Sequence, residues 1–278
     1  MQEQGQPVHV SVPSYNGSNK QVLEMQAYLQ SNLKQDLLAA LLHGSLATGE
    51  EIPYSDFDAL VILKDEVLHD AVRLADAAEK LGKARSYMYA FDPLQHHGWF
   101  VLDEASLKQY PVTYFPPELY AYSKSLLEGE AQFTIMVPPA PDFRSPFFRL
   151  CTSLTTKLTR LKPVENLYGL KGLLSEFMLL PAMYVQARDG HGMFKKFTFD
   201  AARGDFKDEW KVMEDVSSIR QSWKTELADD IKEKLLASMD KRKDFLGEDT
   251  IPWELREKMS SLYTSMLEFV RTAEIMIK

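Results

Sequence analysis

Apolar residues along this chain follow two different patterns, and the change from one to the other lies near residue 140. In the first part, short unbroken apolar runs, which are typical of buried strands, alternate with helical repeats of about 3.6 residues. Gly82 is the expected end of one of these helices, because glycine commonly caps a helix. The predicted elements are strands at 37–42, 59–63, 85–91 and 98–102, helices at 19–34 and 67–81, and a loose arm at 1–18.

The second part reads as helical almost throughout. The proline-rich run 137–141 can continue neither a helix nor a central strand, so we expect a linker there. The helices predicted after it are 145–161, 166–187 with a bend at Pro181, 208–223, 226–245 and 253–277. The expected architecture is an α+β domain with a mixed sheet over 1–140, followed by an all-α helical bundle over 141–278.

Composition narrows the class of protein. Hydrophobic residues make up 45% of the 278 residues and charged residues 26%, which is typical of a globular chain. The net charge of −8 disfavours binding along long nucleic acids. We expect no signal peptide, because residues 1–20 lack a cationic region followed by an apolar one, and no membrane span, because the apolar runs are too short. Cys151 is the only cysteine, so we expect a cytoplasmic protein without an intrachain disulfide, in which Cys151 is inert packing.

Chemistry is suggested by two short segments beside the apolar runs. His43-Gly44-Ser45 follows the first run, and Asp56-Phe57-Asp58 opens the second. Side chains alternate along a strand, so both aspartates are expected on one side and Phe57 on the other. Two neighbouring carboxylates suit Mg²⁺, and a Gly-Ser turn that begins a helix can hold a phosphate through its N–H groups and hydroxyl. The segments together predict a site for a metal and a nucleotide.

This order and spacing resemble the signature of the polymerase-beta-like nucleotidyltransferase superfamily. That signature has an apolar residue, Gly and Gly or Ser, about ten residues, and then two acids separated by an apolar residue. The resemblance covers roughly residues 36–64, and His43 departs from it, since an apolar residue is commoner there. The domain order resembles the nucleotidyltransferases that modify antibiotics and other small molecules.

The resemblance implies an activity and a set of site residues. A nucleoside monophosphate, AMP from ATP, would pass to a hydroxyl of a small-molecule acceptor with the help of Mg²⁺. Asp56 and Asp58 would bind the metal and act in catalysis, Gly44 and Ser45 would hold the β and γ phosphates, and the helical domain would help to hold the acceptor. The acceptor and the oligomeric state are not predicted by the sequence.

The superfamily usually supplies a third carboxylate from a later strand, and Asp92 is our candidate. His96-His97 could supply a base instead, with at most one of the two rings reaching the site if the segment is extended. Asp103 and Glu104 are better explained as the cap and first turn of a short helix.

Other functions remain open. Lys195-Lys196 could bring a charge to the triphosphate, although a solvated turn explains them better. The enzyme could modify a protein or an RNA. A catalytically degraded module that only binds nucleotides is the third possibility.

Overall fold

The computed structural model describes residues 5–223 and 251–278, and the chain falls into two compact units, Met1–Ala140 and Pro141–Lys278. Strands and helices mix in the first unit, while every regular element in the described part of the second is a helix. The predicted fold class, an α+β domain followed by an all-α region, is confirmed.

A four-stranded mixed sheet organises the first unit. Its strands, in the order β4-β3-β2-β5, are β2 (Leu37–Leu42), β3 (Ala59–Leu63), β4 (Phe100–Asp103) and β5 (Lys124–Ser125). Strand β3 runs parallel to β4 and antiparallel to β2, and β2 is antiparallel to β5. The residues that follow β2 therefore lie at the same sheet edge as those that precede β3 and β4.

Two longer helices pack in this unit, with buried apolar faces that join the strands in one core. They are α1 (Lys20–Asn32), which Asn19 caps through its side chain, and α4 (Ala71–Phe91). The shorter helices are α2 (Gly44–Thr48), α3 (Asp65–Leu68), α5 (Glu104–Leu107) and a 3₁₀ helix at Pro117–Tyr122.

Two predictions for the first unit are wrong. Helix α4 does not end at Gly82 but continues to Phe91, because Ala84 and Met88 extend the buried face of its first half. Residues 85–91 are therefore helical and not extended.

The amino-terminal arm is the second error. Strand β1 (Gln6–Val12) pairs antiparallel along its full length with β6 (Ala131–Val137). Val10 and Val12 are buried on one side of β1, so the alternation of a half-buried strand was present in a segment predicted to be loose.

The second unit is built from helices around an aromatic core. Phe206 stacks on Phe269 with ring centroids 4.2 Å apart, and Trp210 packs against both. The described helices are α6 (Arg144–Leu158), α7 (Leu167–Phe177), α8 (Leu180–Asp189), α9 (Lys195–Phe206), α10 (Lys211–Gln221) and α11 (Trp253–Ile277), with a 3₁₀ helix at Lys207–Trp210.

Three predictions for this unit need comment. The helix predicted over 166–187 is two helices, because Pro181 cannot continue a helix and instead occupies the first turn of α8. Lys195-Lys196 begin α9, so the solvated turn predicted there is wrong. The helix predicted over 226–245 lies outside the described residues. Among the helices of 5–223 and 251–278, none is both long and apolar enough to cross a membrane.

Candidate active site

The bend between β2 and α2 is tied directly to the second strand. The N–H of His43 donates to the carbonyl oxygen of Asp58 at 2.9 Å, one residue beyond the β2–β3 ladder. Gly44 then turns the chain with a φ of +72°. A Cβ at Gly44 would collide with the Oδ2 atom of Asp58, so glycine allows the bend and this carboxylate to come close together.

Ser45 lies in the first turn of α2 and is half-buried. Its hydroxyl donates to the Oγ of Ser55 at 2.9 Å, and that Oγ accepts the N–H of Ile52. The segment that joins the bend to the two acids is therefore fastened back onto the bend.

Asp56 and Asp58 lie just before β3 and face the same way. Phe57, between them, is fully buried in the core, whereas the two carboxylates are 13% and 27% exposed. Both reach one imidazole: the Nε2 of His97 lies 3.0 Å from Asp58 Oδ1 and 4.0 Å from Asp56 Oδ2. The alternation of side chains expected from the sequence is present, although β3 itself begins at Ala59.

Gln95 holds the acidic segment in place. Its Oε1 accepts the N–H of Phe57 at 2.9 Å, and its Nε2 donates to the carbonyl oxygen of Phe57 at 3.0 Å. The side chain is buried, so these bonds also satisfy its own polar atoms away from water. No spacing in the sequence pointed to Gln95, which is 38 positions from Phe57.

His96 and His97 both approach the acids, and the prediction that only one could do so is wrong. His96 Nδ1 lies 3.7 Å from Asp56 Oδ1, in addition to the contacts of His97. The prediction assumed an extended strand, but the chain turns between α4 and β4, so the two rings need not point in opposite directions.

The position of His97 beside Asp56 and Asp58 determines its protonation state. Burial lowers the pKa of His97, but the hydrogen bond to Asp58 and the charges of Asp58 and Asp56 outweigh it and raise that pKa to about 9. His97 is therefore held as an imidazolium between two carboxylates near neutral pH.

Asp92 lies at the end of α4 and is buried. Its Oδ1 accepts the N–H of Leu94 at 3.0 Å, which stabilises the turn that leads to the histidines. Its role as a third carboxylate stays a prediction. Asp103 and Glu104 have the structural roles expected of them: Asp103 caps α5, and Glu104 in its first turn accepts the N–H of Asp65.

Comparison with known proteins identifies the domain in which these groups lie. Residues 25–114 match the family model described as a nucleotidyltransferase domain. The chain carries a nucleotidyltransferase domain. The prediction of a nucleotidyltransferase domain is thereby confirmed, and with it the class of enzyme, a nucleotidyltransferase.

One solved structure is similar to this chain over most of its length. The crystal structure of spectinomycin adenyltransferase AAD(9) from Enterococcus faecialis, with ATP and spectinomycin, is similar over 90% of this chain and 99% of its own. The identity is 14% and the TM-score 0.40. No curated protein matches the chain.

The unusual His43 of the nucleotidyltransferase domain is accommodated as an apolar group. Its ring is buried and makes edge contacts with Phe100 and Phe115, with centroids 5.2 and 5.0 Å away. Burial lowers its pKa to about 4, so the ring is neutral near pH 7. A neutral imidazole among phenylalanines explains how histidine can stand where an apolar residue is commoner.

The donor groups of the domain fit a divalent metal ion. One ligand atom each from Asp56, His96 and His97 lie within 4.8 Å of one another, and Asp58 contacts the same His97 ring. Carboxylate oxygens and imidazole nitrogens are ordinary ligands of divalent ions. The absence of a Cβ at Gly44 brings the Gly-Ser bend against one of these carboxylates, as a metal shared with a phosphate would require.

Proposed function

We propose that this chain is a metal-dependent nucleotidyltransferase that moves AMP from ATP to a hydroxyl of a small-molecule acceptor. The observation that carries the proposal is the contact between the Gly44 bend and Asp58 inside a matched nucleotidyltransferase domain. A phosphate-binding turn and a metal-binding acid are useful together only if one ligand touches both.

Each residue of the proposed site has a separate role. Asp56 and Asp58 would hold Mg²⁺, which when bound offsets charge on the triphosphate during in-line displacement. Gly44 and Ser45 would receive the β and γ phosphates with backbone N–H groups and a hydroxyl. Gln95 keeps the two acids in register by fixing the backbone of Phe57. Asp92 remains our candidate for a third carboxylate that accepts the proton of the acceptor hydroxyl.

The choice of donor and acceptor rests on resemblance and charge. ATP is the donor implied by the resemblance to antibiotic nucleotidyltransferases. The net charge of −8 disfavours binding to the phosphate backbone of RNA and therefore favours a small acceptor. With a single cysteine, the chain suits the reducing cytoplasm.

Transfer of label from α-labelled ATP tests the proposal. The protein is incubated with Mg²⁺ and a panel of acceptors that includes spectinomycin, aminoglycosides, bulk tRNA and the protein alone. We expect label on a small molecule, and loss of that label to background in Asp56→Asn and Asp58→Asn. Asp76→Asn, an exposed acid on α4 that pairs with Lys80, is the matched control and should retain full activity.

Other outcomes would overturn the proposal. Label on tRNA or on the protein would assign a macromolecular acceptor instead. Label on none of them, with a thermal shift by ATP and Mg²⁺ that Asp58→Asn abolishes, would indicate a module that binds nucleotides without transferring them.

A further inference from the structure

We propose that the metal site of this domain includes an imidazole ligand, His97, and therefore prefers a first-row transition ion such as Mn²⁺ to Mg²⁺. The inference rests on the proposed function, because it concerns the same metal site. It differs in the ligand set: two carboxylates and a nitrogen donor rather than carboxylates alone.

The distances support direct coordination. The Nε2 of His97 lies 3.0 Å from Asp58 Oδ1 and 4.0 Å from Asp56 Oδ2. Neighbouring ligands around an octahedral ion with bonds of about 2.1 Å lie about 3 Å apart. The distance between His97 and Asp58 already matches this spacing, and Asp56, His96 and His97 each place one ligand atom within 4.8 Å of the others. His96 Nδ1, 3.7 Å from Asp56 Oδ1, is close enough to join the same ion or to hold Asp56 in place.

The ring of His97 is also oriented as a ligand would be. Its Nδ1 lies 3.3 Å from the carbonyl oxygen of Gly98, which can accept the ring N–H and leave the Nε2 atom facing the acids. Metal-binding histidines commonly donate their second nitrogen to a backbone carbonyl in this way. Gln95 Nε2 donates to the carbonyl oxygen of His97 at 3.2 Å, so the same side chain steadies both the acids and the histidine.

The chemistry of the donor set then selects the ion. Imidazole is a poor ligand for Mg²⁺, which prefers oxygen and water, and a better one for transition ions. Affinity for nitrogen and oxygen sites rises along the first row from Mn²⁺, so Mn²⁺ is a conservative probe of the series. The side chain of His97 is 25% exposed, so its ring is in contact with solvent.

A simple ion pair is the competing explanation. In that case His97 only neutralises the two acids and leaves when a metal binds, so its removal should strengthen metal binding. Coordination predicts the opposite, because removal deletes a ligand. The two explanations therefore differ in the sign of one measured effect.

The direct test is pulsed electron paramagnetic resonance of Mn²⁺ bound to the full chain, without nucleotide and with a non-hydrolysable ATP analogue. We expect a ¹⁴N coupling from a directly bound imidazole, a coupling that weakens in His97→Ala. Competition should show Mn²⁺ bound at least about 10-fold more tightly than Mg²⁺, and His97→Ala should lower Mn²⁺ affinity by about 10-fold or more.

Two further variants sharpen the test. His97→Asp replaces nitrogen with oxygen and should narrow the preference for Mn²⁺ over Mg²⁺. His69→Ala removes an exposed histidine of the same unit, away from this cluster, and should change neither affinity nor spectrum.

Failure of the inference can be told from failure of the proposed function. If Mn²⁺ binds in a manner lost in Asp58→Asn but shows no ¹⁴N coupling, His97 is not a ligand and only the inference falls. Tighter binding in His97→Ala would overturn it in favour of the ion pair. If neither ion binds the wild-type chain even with nucleotide, the metal site itself is refuted, and the proposed function with it. Absence of a ¹⁴N coupling in the wild-type spectrum overturns the inference even if a variant does not fold.

Discussion

At the scale of single residues, Gly44 shows how a conformational requirement and a functional one can coincide. Gly44 and Gly49, which lie just before and just after the short helix α2, have φ values of +72° and +69°. A side chain at either position meets the same left-handed backbone strain, about 1–2 kcal/mol. Only at Gly44 would a Cβ also strike the carboxylate of Asp58, since nothing lies within 4 Å of one at Gly49.

This pair gives a controlled mutational prediction. We expect Gly49→Ala to lower the free energy of unfolding by about 1–2 kcal/mol and to leave metal binding intact. Gly44→Ala should be the more destabilising of the two and should also weaken binding of metal and nucleotide, because it displaces Asp58. Urea unfolding and Mn²⁺ titration measure the two effects. Equal behaviour of both variants would show that Gly44 and Asp58 are not in close contact.

The residues of the candidate site differ in how far a sequence can reveal them. Gly44, Ser45, Asp56 and Asp58 stand at fixed spacing beside two apolar runs, and local chain geometry is enough to bring them together. Gln95 and His97 reach the candidate site only because β4 pairs in parallel with β3. The segment that precedes β4 therefore lies beside the segment that precedes β3. Such a long-range pairing leaves no periodic signal around position 95.

At the scale of elements, burial on both faces makes a strand easy to predict. Strands β2 and β3 were predicted with their observed bounds, since each is a continuous apolar run. The prediction ends helix α4 too early because Gly82 resembles a cap. The apolar face of the helix continues beyond Gly82 through Ala84 and Met88. The alternation in β1 is too short to predict a strand by itself, and its partner, β6, lies more than 100 residues away.

Gly82 therefore carries a prediction of its own. In the middle of α4, glycine is less favourable than alanine by about 0.8–1 kcal/mol, and a Cβ there would have no heavy atom within 4 Å. We expect Gly82→Ala to raise the free energy of unfolding by about that amount, seen as a higher urea midpoint with an unchanged slope.

Gly172 provides a matched comparison. It lies inside α7 with equally open surroundings, so Gly172→Ala should stabilise the chain to a similar degree. A loss of stability in Gly82→Ala alone would favour a helix that ends at residue 82.

At the scale of the whole molecule, the chain keeps its chemistry and its one thiol in different units. The residues of the candidate site belong to the first unit, whereas Cys151 lies on α6 in the second. Cys151 is thus a reporter on the folding of the helical unit.

Cys151 should be almost unreactive until that unit opens. The residue is 1% exposed, and burial, with a further contribution from the charge of Glu274, raises the pKa of its thiol to about 12. Because the thiolate is the reacting form, a raised pKa leaves very little of it at pH 8. We expect reaction with a disulfide reagent to be at least about 1000-fold slower in native buffer than in guanidinium, where one thiol per chain should react at once.

The rate of the thiol reaction depends on pH because the thiolate is the reacting form. Raising the pH from 7 to 9 should speed the denatured chain's reaction until its thiol ionises, near pH 8.5. In the native chain the reaction proceeds through opening, and urea lowers the free energy of opening. The rate should therefore rise with each small step of urea, in parallel with the loss of stability of α6 and α11, which pack together. A native thiol that reacts as fast as the denatured one would show that α6 does not bury Cys151.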